Sequence, residues 1–159
     1  MSRLKSFKQK HYSICLSLLF IIIISYSFSF QANALTVDSA VVKFDAKKGN
    51  KDSFYIKGHA EGIYLAEGDS VTLQFGNFSE TIPFRKFNKI KNRFVYHGNK
   101  RKSGIKKLVI NTKTKIFKAD GIKLNLDELV NPVEVHLLAG AYEGCMFLEF
   151  REKKKQMEV

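Results

Sequence analysis

The sequence predicts an all-β fold, a two-sheet sandwich (immunoglobulin-like or similar) of about eight or nine short strands behind an N-terminal hydrophobic signal helix. Three observations predict it. After the leader, apolar residues come in short runs separated by turn residues, no long helical periodicity is present, and the chain has only two prolines, Pro83 and Pro132. Such runs are typical of strands that pair in a sandwich or barrel. Tryptophan is absent, so the Cys…Trp…Cys framework of a true immunoglobulin domain is missing.

The strands are delimited by turn signals between the apolar runs. Gly76-Asn77 separates two alternating runs and predicts a tight hairpin, because glycine tolerates the positive φ that such a turn requires. Pro83 lacks an N–H group and predicts a strand end or a sheet edge. A second hairpin is predicted around Thr112-Lys113. The predicted strands are residues 37–46, 54–58, 71–75, 78–82, 93–97, 105–111, 115–120, 133–138 and 144–150.

The C-terminal third and the aromatic residues give three further expectations. Residues 124–130 are the one candidate for a helical turn, since acidic residues follow its start and Asn-Pro ends it. Apolar residues face both ways in the last strand, which predicts cover on both sides and a buried, inert Cys145. Pairing of this thiol between chains stays open as the alternative. We expect Phe75, Phe94 and Phe147 in the core.

Residues 1–34 have the order of a cleavable export signal. A basic start without acidic residues precedes an apolar stretch, and small residues stand at Ala32 and Ala34. We expect cleavage after Ala34, which leaves 35–159 as a single all-β domain with a short basic C-terminal tail in the periplasm or outside the cell. The alternative is an uncleaved membrane anchor, because residues 14–30 reach the lower limit of a bilayer span.

The charge balance suggests an anionic partner. The leader holds four of the 27 Lys and Arg residues and none of the 15 Asp and Glu residues, so the remainder has 23 basic residues and a formal net charge of +8. A basic surface attracts acidic glycans, other anionic polymers and lipid headgroups. The alternative is that these cations are solvated turn and edge residues that discourage aggregation. The candidate anionic-ligand surface is Lys100, Arg101, Lys102, Lys106 and Lys107.

No motif in the sequence nominates an enzyme or a cofactor site. His59, His97 and His136 lie far apart, without a second histidine or a cysteine at metal-ligand spacing. A zinc site assembled only in three dimensions stays open. The Gly-Asp-Ser block at 68–70 matches one class of serine hydrolase, but it precedes a strand and no Asp-x-x-His follows, so we interpret it as a turn. We therefore expect no catalytic, metal or cofactor-binding residues.

Four segments carry a family resemblance: NKDSFYIKG at 50–58, VTLQFG at 71–76, KIFKA at 115–119 and LVNPVEV at 129–135. Together they resemble an uncharacterised β-sandwich-like module, often repeated, that occurs in exported proteins of environmental bacteria. The resemblance implies a compact β-sandwich-like module and a place outside the cytoplasm, and it implies no activity. This chain holds a single copy.

These observations favour a non-enzymatic exported module that binds a ligand or has a structural role at the cell envelope. The alternative is a carbohydrate- or anionic-polymer-binding domain, and the third hypothesis is a small hydrolase with an unrecognised site. The expected partner is an envelope glycan, an anionic polymer or a protein. We do not expect nucleic acid, since the chain leaves the cytoplasm, and membrane contact is expected only through an uncleaved leader.

Overall fold

The structure is a computed structural model that describes residues 34–45, 51–153 and 156–158. The predicted signal helix precedes the described residues, so the export prediction is not addressed by the fold. No helix in these three segments combines the length and the apolar character needed to cross a bilayer.

The described chain consists of strands with one short 3₁₀ helix. The elements in chain order are β1 Leu35–Lys43, β2 Asp52–Ala60, β3 Ser70–Phe75, β4 Phe78–Pro83, the 3₁₀ helix Phe84–Lys86, β5 Phe87–Ile90, β6 Arg93–His97, β7 Gly104–Asn111, β8 Ile116–Leu124, β9 Val133–Ala139, β10 Tyr142–Leu148, β11 Arg151–Lys153 and β12 Gln156–Glu158. The all-β prediction is confirmed, with β5, β11 and β12 added to the expected strands.

The strands form two antiparallel sheets. The larger sheet has the order β11-β12-β1-β2-β8-β7-β6-β5, and the smaller has the order β10-β9-β3-β4. Buried residues of both sheets belong to one hydrophobic core. This is a sandwich-like arrangement, in which each sheet turns one face inward and leaves the other to solvent.

Aromatic rings join the two inner faces. Phe54 of β2 stacks on Phe75 of β3, with ring centroids 4.6 Å apart and planes 14° from parallel. Phe75 also meets Phe150 edge to face at 6.1 Å. Opposite Phe54 in the larger sheet is Gly121 of β8, and a Cβ there would overlap the Phe54 ring. The glycine therefore provides the space that the ring occupies.

The turn predictions around β3 and β4 are confirmed. The two strands are joined by Gly76-Asn77, and Gly76 has a φ of +55°. β4 ends at Pro83 and is one of the two edge strands of the smaller sheet. The hairpin predicted around Thr112-Lys113 is also present, between β7 and β8.

The helical turn predicted at 124–130 is found only in part: residues 124–126 are extended, and a single hydrogen-bonded turn follows at 126–129. β8 extends to Leu124, after which Asn125 is exposed and Leu126 is buried, so that burial keeps the two-residue period of a strand. The N–H group of Leu126 donates to a carboxylate oxygen of Asp52, and Leu129 N–H then closes a turn on Leu126 O. These hydrogen bonds stabilise an extended segment followed by a turn.

The last long strand is covered on one side only, which corrects two expectations. Phe75 and Phe94 are buried as predicted, but Phe147 is 61% exposed. Cys145 is exposed as well. The inward positions of β10 are the alternate ones, beginning at Tyr142, so Cys145 and Phe147 share the outer face.

Asp52 is the one buried charged side chain among the described residues. Its two carboxylate oxygens accept hydrogen bonds from the backbone N–H groups of Asp45, at 2.8 Å, and Leu126, at 2.9 Å. A buried carboxylate requires such partners. It links the segment after β1 to the segment after β8, at one end of the larger sheet.

We predict that Asp52→Ala lowers the free energy of unfolding by about 2–4 kcal/mol, because two backbone donors lose their acceptor. Asp52→Asn, which keeps one acceptor oxygen, should lose less. Urea denaturation measures both. Asp127→Ala, at an exposed turn position, is the control and should change stability by less than about 0.5 kcal/mol. Equal losses at the two sites would contradict the role of Asp52.

We predict that Gly121→Ala destabilises the protein by about 1–3 kcal/mol, because the new methyl group overlaps the Phe54 ring. In the Phe54→Leu background the same substitution should cost less. A double-mutant cycle on thermal or urea unfolding gives the coupling, which we expect to exceed about 0.5 kcal/mol. Simple additivity of the two substitutions would show that the ring does not set the requirement for glycine.

Candidate functional site

A groove lies on the outer face of the larger sheet. Its cavity volume is about 430 Å³, and its lining includes Tyr55 of β2, Lys118 and Asp120 of β8, Lys107 and Val109 of β7, and Arg93 of β6. All six come from neighbouring strands of one sheet. We call this cavity the groove.

The groove results from strand register. Asp120 is paired with Tyr55 on one side and Lys107 on the other. In the next row, Lys118 is paired with Lys57 and Val109. Side chains of paired residues lie on the same face of a sheet, so outward residues far apart in the sequence become neighbours.

The groove carries an excess of positive charge. Arg93, Lys107 and Lys118 face one carboxylate, Asp120, among its lining residues. None of these three cations forms an ion pair with a residue in the described segments. Three cations beside one carboxylate leave a net positive charge along the groove, and such a surface attracts an anionic ligand.

Lys57 differs from the groove cations because its charge is compensated. Its Nζ lies 3.3 Å from Oδ2 of Asp38, and Nε2 of His59 lies 3.5 Å from the same oxygen. Asp38 therefore reduces the positive charge beside β1. The uncompensated charge is centred on β8, β7 and β6.

A β-bulge brings two consecutive lysines to the outer side of β7. The pairing of β7 with β8 shifts between Ile105 and Lys107. Ile105 and Leu108 are buried, while Lys106 and Lys107 are both exposed. A bulge inserts one extra residue on one strand and so interrupts strict alternation. Both lysines can therefore reach a ligand on the outer face.

The groove continues into a second cavity of about 330 Å³. Tyr55 and Asp120 line both cavities, and Lys43 and Lys106 line the second. The two together form a trough across the strands rather than a closed pocket. Its shape suits an extended ligand better than a compact one.

The candidate surface expected from the sequence separates into two parts. Lys106 and Lys107 line the cavities, whereas Lys100, Arg101 and Lys102 lie in the exposed loop before β7 and line neither. Backbone N–H groups of the last two donate to the side chain and carbonyl of Asn99. We call Lys100, Arg101 and Lys102 the loop cations.

Sequence reasoning missed Arg93, Lys118 and Tyr55 as groove residues. Their positions in alternating strands could have identified them as outward-facing, because each lies next to a buried residue. Phe94 is buried beside Arg93, and Phe117 is buried beside Lys118. Outward cations in consecutive strands could have been collected on one face. The register that aligns them was not readable from the sequence.

A second cluster lies on the outer face of the smaller sheet. Glu134 and His136 are on β9, and Cys145 lies opposite His136 on β10. The His136 Nε2 atom is 2.8 Å from Glu134 Oε1 and 3.3 Å from Cys145 Sγ, and Sγ is 3.8 Å from Glu134 Oε1. These three side chains, the Glu-His-Cys cluster, offer one carboxylate, one imidazole and one thiol.

The thiol of this cluster is kept in its neutral form. Partial desolvation of the sulfur, followed by the negative charge of Glu134, its hydrogen bond and the charge of Glu143, raises the pKa of Cys145 although the side chain is exposed. A thiol needs a lowered pKa to act as a nucleophile near neutral pH. The environment of Cys145 therefore does not match that of a catalytic cysteine.

The sequence does not reveal the Glu-His-Cys cluster because His136 and Cys145 are not at metal-ligand spacing along the chain. His136 and Cys145 are nine residues apart and meet only through the β9–β10 hairpin. The predicted strands 133–138 and 144–150 with a short turn could have suggested this pairing. The Gly-Asp-Ser block, by contrast, is a turn as predicted, in which Asp69 Oδ2 accepts a hydrogen bond from Ala66 N–H at 2.7 Å.

Comparisons of the chain with protein-family models, with curated proteins and with solved structures give no match.

Proposed function

We propose that the protein is an exported, non-enzymatic β-sandwich module that binds an anionic polymer, with an acidic glycan of the cell envelope as the ligand class. The observation that supports this function is the groove, which Arg93, Lys107 and Lys118 line together with Tyr55, and none of these three cations has an ion-pair partner in the described segments. This proposal combines two expectations from the sequence: an exported module without enzymatic activity, and a domain that binds a carbohydrate or an anionic polymer.

An acidic glycan suits the chemistry of the groove. Carboxylate or sulfate groups on a sugar chain would pair with the three cations, and a sugar ring could lie against an aromatic side chain such as Tyr55. Val109 adds an apolar surface on the same floor. The open trough formed with the second cavity accommodates several units of an extended chain.

The groove gives little support to hydrolysis. Glycosidases use a pair of carboxyl groups across the scissile bond, and Asp120 is the one carboxylate among the described residues that line the two cavities. Acyl-transfer chemistry needs a nucleophile beside a base. On the smaller sheet, the Cys145 thiol does lie beside the His136 imidazole, but the pKa of this thiol is raised. Binding without turnover is therefore the preferred function.

We predict that replacing the groove cations weakens polymer binding more than replacing the loop cations. The groove variant is Arg93→Gln with Lys107→Gln and Lys118→Gln. The loop variant is Lys100→Gln with Arg101→Gln and Lys102→Gln, which removes the same charges. The groove variant should bind polygalacturonate about tenfold or more weakly, since each exposed charge contact contributes about 0.5–1 kcal/mol. Calorimetry on protein produced from the full-length chain measures the affinity.

Two controls accompany this measurement. Dextran, a neutral polymer, should bind to none of the proteins, and added salt should weaken wild-type binding because exposed charge interactions are screened. Unfolding curves verify that both variants fold. A loop variant that loses as much affinity as the groove variant would reject the groove as the site. Salt-independent binding would reject the electrostatic account.

The export part of the proposal rests on the leader and has its own test. The full-length chain is expressed in a Gram-negative host, the cell is fractionated, and the intact mass is measured. We expect a product that begins at Leu35 outside the cytoplasm. A cytoplasmic product that retains the whole leader would contradict export, and a membrane-bound full-length product would show the uncleaved anchor.

Cleavage after Ala34 would also change the hydrogen bonds at the beginning of β1. The Ala34 carbonyl accepts hydrogen bonds from Glu61 N–H at 3.0 Å and from the Tyr142 hydroxyl at 3.2 Å. Burial and the charge of Glu61 raise the pKa of Tyr142 to about 12, so this hydroxyl stays a neutral donor. Cleavage after Ala34 would remove this acceptor and place the new amino group of Leu35 beside these donors and Glu61.

A further inference from the structure

We propose that Glu134, His136 and Cys145 bind a single zinc ion on the outer face of the smaller sheet, with the fourth coordination position open to water. The site lies on a different sheet from the groove and does not depend on the proposed polymer binding. It is suggested by the convergence of three ligand atoms, Oε1, Nε2 and Sγ, which all lie within 4.8 Å of one another.

The spacing of these atoms fits tetrahedral coordination. With Zn–S near 2.3 Å and Zn–N or Zn–O near 2.0–2.1 Å, ligand atoms of a tetrahedral site lie roughly 3.3–3.6 Å apart. The three distances in the cluster are 2.8 Å between His136 and Glu134, 3.3 Å between His136 and Cys145, and 3.8 Å between Cys145 and Glu134. Small side-chain rotations would make them more nearly equal.

The backbone holds the ligands on rigid elements. Cys145 pairs directly with His136 across the β9–β10 ladder, and Glu134 lies two residues from His136 on the same face. β9 is also paired with β3 on its other side, where Gln74 lies opposite His136. Ligands on strands paired in this way need little rearrangement to bind a metal ion.

The donor set selects the metal. A thiolate and an imidazole with one carboxylate match zinc, whereas calcium and magnesium prefer oxygen ligands alone. The thiol proton passes to solvent when the S–Zn bond forms. Glu134 and thiolate Cys145 then balance the two charges of the ion, and Glu143, whose charge already acts on Cys145, adds a further attraction for a cation.

Zinc binding is tested on tag-free protein produced from the full-length chain, in the presence of a phosphine reductant. After dialysis against zinc, elemental analysis should give one ion per chain. Replacement of zinc by Co²⁺ should give a thiolate-to-cobalt charge-transfer band with the visible bands of a tetrahedral site. Cys145→Ser and His136→Gln should each abolish the band and weaken zinc binding by about 100-fold or more, since even residues behind a ligand contribute about 10- to 100-fold.

His59→Gln is the matched control. His59 also lies beside an acidic residue, Asp38, on an outer face, but within the described segments it belongs to no group of three converging ligand atoms. The variant should keep the zinc stoichiometry and the cobalt spectrum. Zinc retained equally by Cys145→Ser and wild type, a cobalt spectrum without the thiolate band, or loss of binding in His59→Gln would each overturn the proposal. Unfolding curves verify the fold of every variant.

Discussion

The stacked rings of Phe54 and Phe75 join the inner faces of the two sheets, and the positions of the outward residues depend on this contact. The ring of Phe54 requires glycine at its cross-strand neighbour Gly121. A one-residue slip between β2 and β8 would bring a larger side chain against the ring and turn Lys118 and Asp120 inward. Core packing thus selects the register that creates the groove.

Local features of the fold were readable from the sequence because they depend on neighbouring residues. Gly76-Asn77 predicted the hairpin between β3 and β4, and Pro83 predicted the end of an edge strand; both predictions are confirmed. The predicted helical turn at 124–130 does not begin at residue 124 for a non-local reason: Asp52, more than seventy residues earlier in the chain, accepts a hydrogen bond from Leu126 N–H and favours extended backbone before the turn. Local propensity is overridden where a buried partner fixes the backbone.

The candidate sites were less predictable because they depend on pairing between strands. An apolar run such as Cys145 to Leu148 predicts cover on both faces, so the exposure of Cys145 and Phe147 on one face is not evident from the sequence. Likewise, a bulge at Lys106 cannot be located without knowledge of its partner strand. The basic character of the surface was predictable, whereas the choice of Arg93 and Lys118 over the loop cations was not.

The outer faces of the two sheets carry side chains of different charge and therefore suit different ligands. The larger sheet presents a trough whose cations Arg93, Lys107 and Lys118 have no ion-pair partner among the residues that the structure describes. Such a surface gains by binding many dispersed negative charges at once. The smaller sheet presents soft and anionic donors that converge on one point, which suits a single small cation. Because the core separates these faces, a polyanion on one sheet would not compete with zinc for its ligands. The same alternation that seals the interior therefore places two independent candidate sites on one small fold.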